Sequence, residues 1–179
     1  MNHSAPWRPA YVALGSNLDD PPRQIARAAE RVAALPRTRW VLASSLYRTA
    51  PFGPVAQPEF RNAVVGLLTQ LAPAELLAAL RGIELELGRA PARERWGPRR
   101  IDLDLLVHGD ARSDTAELRL PHPGIPERNF VLYPLAEIAP DLQVPGIGVV
   151  RELAARVSGA GIERLGALGI GSAGESSQS

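Results

Sequence analysis

Residues 101–107 read Ile-Asp-Leu-Asp-Leu-Leu-Val, and this alternation of apolar and acidic residues predicts a β-strand. Side chains two positions apart share one face of a strand, so Asp102 and Asp104 project together while the apolar residues enter the core. Two neighbouring carboxylates repel unless a cation lies between them, and Mg²⁺ takes one or two protein carboxylates with waters and substrate phosphates. The pair indicates a magnesium site, although a solvated strand face with two acids explains the same pattern.

A loop rich in arginine precedes this strand. The five arginines of residues 89–100 are Arg89, Arg93, Arg95, Arg99 and Arg100. Guanidinium groups this close together repel unless they face water or an anion, and a polyphosphate bound to Mg²⁺ is a suitable anion. Trp96 lies among them and either packs on the protein or stacks on a flat ligand. A solvated charge run is the alternative, but the loop and the two acids together favour a phosphate site.

The sequence around this strand alternates between strand and helix patterns. We predict strands over residues 11–15, 40–47, 60–68 and 101–107, and helices over 21–35 and 73–87. This β-α-β-β-α-β order is the ferredoxin-like pattern. Because loops rather than helices join several strands, we expect an α+β fold with a mainly antiparallel sheet packed with helices.

Beyond this core pattern, residues 118–120 suit a short edge strand and residues 130–139 a helix. The loop over residues 49–58 contains three prolines and a glycine, and so long a connection within a domain is more often functional than a hairpin loop. We expect a single domain over residues 10–157. Residues 158–179 are rich in Gly, Ala and Ser and are predicted to form a flexible tail.

Composition excludes several classes of protein. The chain has 179 residues and no cysteine, with 45% hydrophobic and 22% charged residues, as in ordinary globular proteins. All 20 basic residues are arginine, which excludes a Walker-type phosphate loop, a Schiff-base enzyme and a Ser–Lys hydrolase. The net charge of +1 is too balanced for a nucleic-acid or anionic-membrane partner, and no apolar stretch is long enough for a membrane span. The absence of such a stretch favours a cytoplasmic protein, and we also expect a monomer.

Three further features are candidate site residues, each with a structural alternative. Glu84 on the second predicted helix orients an arginine or reaches a nucleotide, or else pairs with Arg81 on the helix surface. His122, between two prolines and near Arg128, contacts a phosphate or a ring, or else is solvated. The residues that suit a flat heterocycle are Phe52, Phe60, Asn62 and Phe130, although core packing explains the phenylalanines more simply.

Residues 95–106, Arg-Trp-Gly-Pro-Arg-Arg-Ile-Asp-Leu-Asp-Leu-Leu, closely resemble the signature of the 6-hydroxymethyl-7,8-dihydropterin pyrophosphokinase family of folate biosynthesis. Further motifs follow in the family's order and spacing. They are Ala13-Leu-Gly-Ser-Asn-Leu18, Ser45-Leu-Tyr-Arg-Thr49, Gln57-Pro-Glu-Phe-Arg-Asn62, Glu84-x-x-x-Gly-Arg89, Pro121-His122 and Pro134-Leu-x-Glu-Ile-Ala-Pro140. The resemblance covers residues 10–148.

The resemblance implies a ferredoxin-like enzyme that transfers the pyrophosphoryl group of MgATP to the hydroxymethyl oxygen of the pterin and releases AMP. It implies two Mg²⁺ ions held by Asp102 and Asp104, with Arg89 and Arg99 as catalytic residues that neutralise the phosphates. The positions implied for ATP binding are Arg81, Glu84, Arg95, Trp96, Arg99, Leu105, His122 and Arg128. Those implied for pterin binding are Thr49, Pro51, Phe52, Phe60, Asn62, Trp96 and Phe130.

Departures from the family pattern lie at peripheral ATP contacts, and they are Pro91, Glu117, Arg119 and Pro123. Two other hypotheses fit the residues. A Mg²⁺-dependent phosphohydrolase would use the same acids with water as acceptor. A non-catalytic nucleotide-sensing module would bind ATP without turnover, since fold alone does not fix function.

Overall fold

The computed structural model describes residues 4–89 and 97–170, which form a main β-sheet with helices on both faces. In chain order the elements are β1 (Arg8–Ser16), α1 (Pro21–Ala33), β2 (Thr38–Ala43), β3 (Ser45–Thr49), β4 (Phe60–Thr69), α2 (Pro73–Glu86), β5 (Asp102–His108), β6 (Ser113–Asp114), β7 (Arg119–Leu120), a 3₁₀ turn (Ile125–Glu127), α3 (Asn129–Ile138), β8 (Gln143–Val144), β9 (Gly148–Val149), α4 (Val150–Arg156) and β10 (Ile162–Ala167).

The main sheet confirms the predicted α+β fold. Its strands lie in the order β10-β3-β4-β1-β5, and β2 pairs with the other half of β4. Every neighbouring pair in this sheet is antiparallel. With β2 and β3 taken as one interrupted strand, the first and third strands of the β-α-β-β-α-β unit lie at the centre, which is the ferredoxin-like arrangement.

The predicted strand over residues 40–47 is wrong in one detail, because it divides into β2 and β3 at Ser44. The Ser44 hydroxyl donates to the Ser45 carbonyl at 2.7 Å and accepts from the Val64 amide at 2.9 Å. The Ser44 hydroxyl thus takes the place of a backbone carbonyl as the partner of the Val64 amide. Serine side chains often compete with backbone groups for such hydrogen bonds. The break lets β2 and β3 pair with different halves of β4.

Alternation along the strands divides their side chains between two layers. Leu14 of β1 and Leu103 of β5 join a buried cluster with the apolar side chains of α1 and α2. Ala13 packs instead against the cluster that α3 and α4 form on the opposite face. Asp102 and Asp104 alternate with Leu103, so both acids lie on the α3 face of the sheet.

Helix α3 is fastened to the sheet by Glu137. Its carboxylate accepts hydrogen bonds from the Ser45 hydroxyl at 2.7 Å and the Tyr47 hydroxyl at 2.6 Å, and it pairs with Arg164 of β10 at 3.0 Å. Burial, and then the bond to Glu137, raise the pKa of Tyr47, so its phenol remains a donor. Because α3 carries Phe130 in its first turn, this network fixes where that ring stands.

The chain after residue 157 differs from the predicted flexible tail. Strand β10 pairs with the free edge of β3, and the Ala50 amide donates to the Gly161 carbonyl at 2.8 Å. The tail prediction is wrong for this stretch because an unpaired sheet edge recruits a segment with little strand preference of its own. Residues 171–179 lie outside the described residues. No helix in the described part of the chain is long and apolar enough to cross a bilayer.

Candidate active site

A pocket of about 290 Å³ opens on the α3 face of the sheet, beside Asp102 and Asp104. The predicted site residues that line it are Thr49, Phe52, Phe60, Asn62, Arg99, Asp102, Asp104, His122, Arg128 and Phe130. The acids and arginines were predicted as a phosphate site, and the rings and the amide as a separate site for a flat heterocycle. The fold brings both groups into one cavity.

Cross-strand pairing places an acid and the amide on either side of one glycine. Asp102 of β5 pairs with Gly15 of β1, and Gly15 pairs with Asn62 of β4. A Cβ added to Gly15 would lie 2.7 Å from Asn62 Oδ1. Glycine is therefore needed here to leave room for the Asn62 amide. The sequence motif contains Gly15 but gives no sign of this role, because the contact forms only between paired strands.

Two arginines converge on Asp102. Arg89 Nη1 donates to Asp102 Oδ1 at 3.0 Å, and Arg99 Nη1 donates to Asp102 Oδ2 at 3.0 Å. Each guanidinium is about a quarter exposed, so neither is fully withdrawn from solvent. Arginine presents several donors in a planar fork, which suits it to exchange a carboxylate partner for phosphate oxygens.

Glu84 contacts both Arg89 and the strand that carries Asp102. The residue is only 6% exposed, and its Oε1 accepts from the Leu103 amide at 2.7 Å and lies 2.5 Å from Arg89 Nη1. It therefore links α2 to the edge strand β5 and orients Arg89. Burial raises the pKa of Glu84 against the opposing effect of these bonds. The predicted alternative, a surface pair with Arg81, does not form, since Arg81 donates to the Glu117 carbonyl at 3.3 Å.

Asp104 lies beside these charges without sharing the bonds of Asp102. Burial, and then the charges of Asp102 and Glu84, raise its pKa to about 7. Within residues 4–89 and 97–170, no group of three or more His, Cys, Asp or Glu side chains is placed to hold a metal. Two carboxylates on one strand face fit Mg²⁺, which completes its coordination with water and phosphate oxygens. They do not fit a cation held by protein ligands alone.

The other end of the pocket is aromatic. Asn62 Nδ2 donates to Thr49 Oγ1 at 2.7 Å, which fixes the orientation of its amide. The rings of Phe52 and Phe130 contact edge to face with centroids 5.9 Å apart. Arg128 lies over both rings, with Cζ 5.5 Å and 5.8 Å from their centroids. Flat apolar faces and an oriented amide are the groups that recognise a planar heterocycle.

His122 and Arg128 line the pocket, and Gly124 lies next to both. The Gly124 amide donates to His122 Nδ1 at 3.0 Å, so the imidazole carries its proton on Nε2. Burial, and then the charge of Arg128, lower the pKa of His122 to about 4. A Cβ on Gly124 would lie 2.7 Å from Arg128 Nε, so this glycine leaves room for the guanidinium. No sequence pattern singled out Gly124, because its contact depends on how the loop folds back.

The remaining predicted site residues lie elsewhere. The Leu105 side chain is 3% exposed and belongs to the core cluster on the opposite face of the sheet, and Leu105 does not line the pocket. Pro51 lies in the loop between β3 and β4 beside the pocket-lining Ala50 and Phe52. Arg95 and Trp96 lie outside the described residues.

Comparison with known proteins gives one consistent result. The family model described as 7,8-dihydro-6-hydroxymethylpterin-pyrophosphokinase (HPPK) matches residues 11–140. The 2-amino-4-hydroxy-6-hydroxymethyldihydropteridine pyrophosphokinase of Pseudomonas aeruginosa is 50% identical over 155 residues, which cover 87% of this chain and 95% of that protein. The protein of the same name from Methylorubrum extorquens is 47% identical over 156 residues, which cover 87% of this chain and 98% of that protein.

Solved structures agree with the fold. A crystal structure of Plasmodium falciparum HPPK-DHPS matches with a TM-score of 0.67 and 14% identity, over 86% of this chain and 46% of that chain. An HPPK-DHPS structure in complex with substrates matches with a TM-score of 0.63 and 13% identity, over 84% of this chain and 43% of that chain. This chain therefore spans less than half the length of those solved chains, and the likeness concerns the fold alone.

Proposed function

This chain belongs to the HPPK family, and we propose that the pocket beside Asp102 and Asp104 is where it performs the family's reaction. It transfers the pyrophosphoryl group of ATP to the hydroxymethyl oxygen of 6-hydroxymethyl-7,8-dihydropterin, a step of folate biosynthesis. The hydroxymethyl oxygen bonds to the β-phosphorus, the bond from that phosphorus to the bridging α,β-oxygen breaks, and AMP leaves. The hydroxyl proton passes to solvent.

One observation carries this proposal, namely that a single pocket holds two chemically distinct ends. Asp102, Asp104 and Arg99 supply the charges that a metal-bound polyphosphate requires. Phe130 and Asn62 supply the faces and the hydrogen-bonding edge that a pterin requires. A phosphohydrolase has no need of the second end, so the joint arrangement favours transfer to a heterocyclic acceptor over transfer to water.

At the charged end, Asp102 and Asp104 hold Mg²⁺, and we propose two ions in agreement with the family resemblance. When bound, Mg²⁺ neutralises charge on the phosphate oxygens and orients them for displacement. Arg89 and Arg99 exchange Asp102 for the phosphate oxygens when MgATP binds, while Glu84 keeps Arg89 in reach. Neutral His122 offers its Nε2–H to the nucleotide, and Arg128 adds a positive charge at the wall of the pocket.

At the aromatic end, Phe60 and Phe130 stack on the pterin, and the amide of Asn62 reads its edge. Thr49 orients that amide, and the loop that carries Pro51 and Phe52 closes over the ring. No side chain needs a tuned pKa as a general base, because phosphoryl transfer rests on positioning and charge neutralisation. Exclusion of water by the closed pocket disfavours ATP hydrolysis.

We also propose that Arg81, Arg95, Trp96 and Leu105 contribute to ATP binding. The contributions of Arg81 and Leu105 to ATP binding rest on the resemblance alone, whereas those of Arg95 and Trp96 rest also on the arginine-rich loop that contains them. We also propose that the chain acts as a monomer in the cytoplasm. Its balanced charge argues against a nucleic-acid or anionic-membrane partner.

Product analysis tests the function. The purified chain is incubated with ATP, Mg²⁺ and 6-hydroxymethyl-7,8-dihydropterin, with controls that lack either the pterin or Mg²⁺, and nucleotides and pterins are separated by chromatography. AMP and pterin pyrophosphate that both depend on pterin and Mg²⁺ are expected. Phosphate or pyrophosphate released without pterin would instead identify a phosphohydrolase, and intact ATP would identify a nucleotide-binding module.

A further inference from the structure

The turn that follows β1 contacts both loops that border the pocket. Its first residue, Asn17, is only 3% exposed. Asn17 Nδ2 donates to Gln57 Oε1 and to the Pro58 carbonyl, each at 3.0 Å. These acceptors belong to the loop between β3 and β4, which also carries the pocket residue Phe52. One end of the Asn17 amide is thus tied to the aromatic side of the pocket.

The other end of the same amide is tied to the charged side. The Arg99 backbone N–H donates to Asn17 Oδ1 at 2.8 Å, and the backbone N–H of Asn17 donates to the Arg99 carbonyl at 3.0 Å. Two residues further along the turn, the Asp19 carboxylate accepts from Arg100 Nε at 2.8 Å. The backbone of Arg99 is therefore held on both sides while its side chain reaches Asp102.

The orientation of the Asn17 amide is determined by its partners. Both Nδ2 hydrogens point at oxygen acceptors and Oδ1 receives an N–H, so a flipped amide would set donor against donor and acceptor against acceptor. A buried amide with all three contacts satisfied resists displacement, because leaving any of them unpaired is costly. One side chain consequently links the loop between β3 and β4 to the segment that carries Arg99.

We propose that Asn17 is a positioning residue that couples the loop between β3 and β4, which carries Phe52, to the segment carrying Arg99. The inference rests on the proposed function and adds to it a physical link between the two substrate sites. MgATP contacts the Arg99 side chain and further restrains the segment that carries it, and the Asn17 side-chain amide extends that restraint to the loop carrying Phe52. The pterin then binds a loop that has already lost part of its conformational freedom, which raises its affinity.

Asn17→Asp separates the two arms of the link. The carboxylate still accepts from the Arg99 backbone N–H but offers no hydrogen to the Pro58 carbonyl, and it meets Gln57 only if that amide turns to donate, so the arm to the loop between β3 and β4 is weakened while the arm to Arg99 is kept. The matched control is Asn129→Asp, because the Asn129 side-chain amide also donates to two oxygen acceptors, the backbone carbonyls of Ser158 and Ala160, and Asn129 does not line the pocket.

The test measures the pterin Kd by fluorescence titration, with and without Mg²⁺ and α,β-methylene-ATP, which cannot transfer its terminal pyrophosphoryl group. In the wild type and in Asn129→Asp we expect the nucleotide to tighten pterin binding by the same factor. In Asn17→Asp that factor falls by about tenfold, and KM for pterin rises more than kcat falls. A factor equal to that of the wild type would overturn the inference.

A second pair of variants covers the case in which Asn17→Asp does not fold. Gln57→Leu removes the Oε1 acceptor and is expected to lower the same factor, whereas Gln57→Glu keeps an oxygen acceptor and retains most of it. Equal factors in both Gln57 variants would overturn the inference. A wild-type chain that binds neither pterin nor nucleotide would overturn the proposed function, and this inference with it, so the two failures are distinguishable.

Discussion

The charged end of the pocket takes most of its side chains from one stretch of the chain, namely Glu84, Arg89, Arg99, Asp102 and Asp104, whereas the aromatic end combines residues 49–62 with Phe130, which meet only in the folded sheet. At the charged end, neighbouring positions of one strand and its flanking segment already bring Asp102 and Arg99 together. At the aromatic end, Phe130 stands where it does because Glu137 fastens α3 to β3. The two ends therefore differ in how far apart their residues lie in the sequence.

This difference suggests a division of labour. In the proposed reaction, charges at the first end act on the phosphates, where the bond changes occur, so their loss is expected to lower the rate of transfer. Contacts at the second end hold the acceptor, so their loss lowers its affinity. Variants that alter one end alone show whether the two contributions separate.

The largest expected effect comes from Asp104→Asn at the charged end. Loss of one metal-binding carboxylate lowers turnover by about 1,000-fold, because charge stabilisation at the phosphates supplies most of the catalysis. Turnover is measured as AMP formation at saturating substrates. Pterin binding without nucleotide serves as the control and stays close to that of the wild type. Near-normal turnover in a folded variant would refute the metal role.

Arg99→Ala is expected to lower turnover by about 100-fold, the range found when one charge-stabilising donor is removed. Arg99→Lys restores only part of the rate, because an ammonium group lacks the planar fork of a guanidinium. Arg151→Ala is the matched control, since Arg151 is more than half exposed and pairs with Asp141 outside the pocket. Equal rates for Arg99→Ala and Arg151→Ala would contradict the assignment.

Gly15→Ala acts on the aromatic end from the centre of the sheet. The added methyl group displaces the Asn62 amide, and pterin affinity falls by about thirtyfold while nucleotide affinity is kept. Titrations with each ligand measure the two affinities. Gly82→Ala is the control, because nothing lies within 4 Å of its Cβ position and alanine is favoured within a helix. An equal loss of both affinities in Gly15→Ala would show that the two ends do not separate.

The smallest effect concerns His122 and the dependence of stability on pH. Its pKa is lowered from 6.5 to about 4 in the folded chain, so the unfolded chain binds a proton first as pH falls. The contribution of His122 to stability is therefore intact above pH 6.5 and is lost between that pH and about 4. Between pH 6 and pH 5 the wild type loses about 1 kcal/mol relative to His122→Gln. Urea unfolding at both pH values measures this difference, and a constant difference would contradict the buried, neutral imidazole.

The sequence predicts correctly those structural features that depend on residues close together in the chain. The alternation around Asp102 predicted β5 and the shared face of its two acids, and the apolar spacing predicted α1 and α2. It missed features that depend on distant partners. Ser44 interrupts a strand by bonding to Val64, and β10 forms because β3 leaves an edge free.

The same limit applies within the site. Asp102 and Arg99 were found as a local cluster, but the roles of Gly15, Asn17 and Gly124 arise from contacts across strands and loops. Leu105 illustrates the reverse case, since the strand alternation already places its side chain with Leu103 in the core, whereas the resemblance assigns it to ATP. A family resemblance identifies positions in the sequence, whereas the fold shows where the side chain at each position lies.

One measurement tests directly whether the two ends serve one reaction. Mn²⁺, which accepts the same oxygen ligands as Mg²⁺, is added with α,β-methylene-ATP and pterin, and paramagnetic broadening of the pterin proton resonances is recorded by NMR. We predict strong broadening in the wild type that is lost in Asp104→Asn. Pterin resonances that stay sharp in the wild type while both ligands are bound, or that broaden equally in Asp104→Asn, would contradict a shared site at the acids.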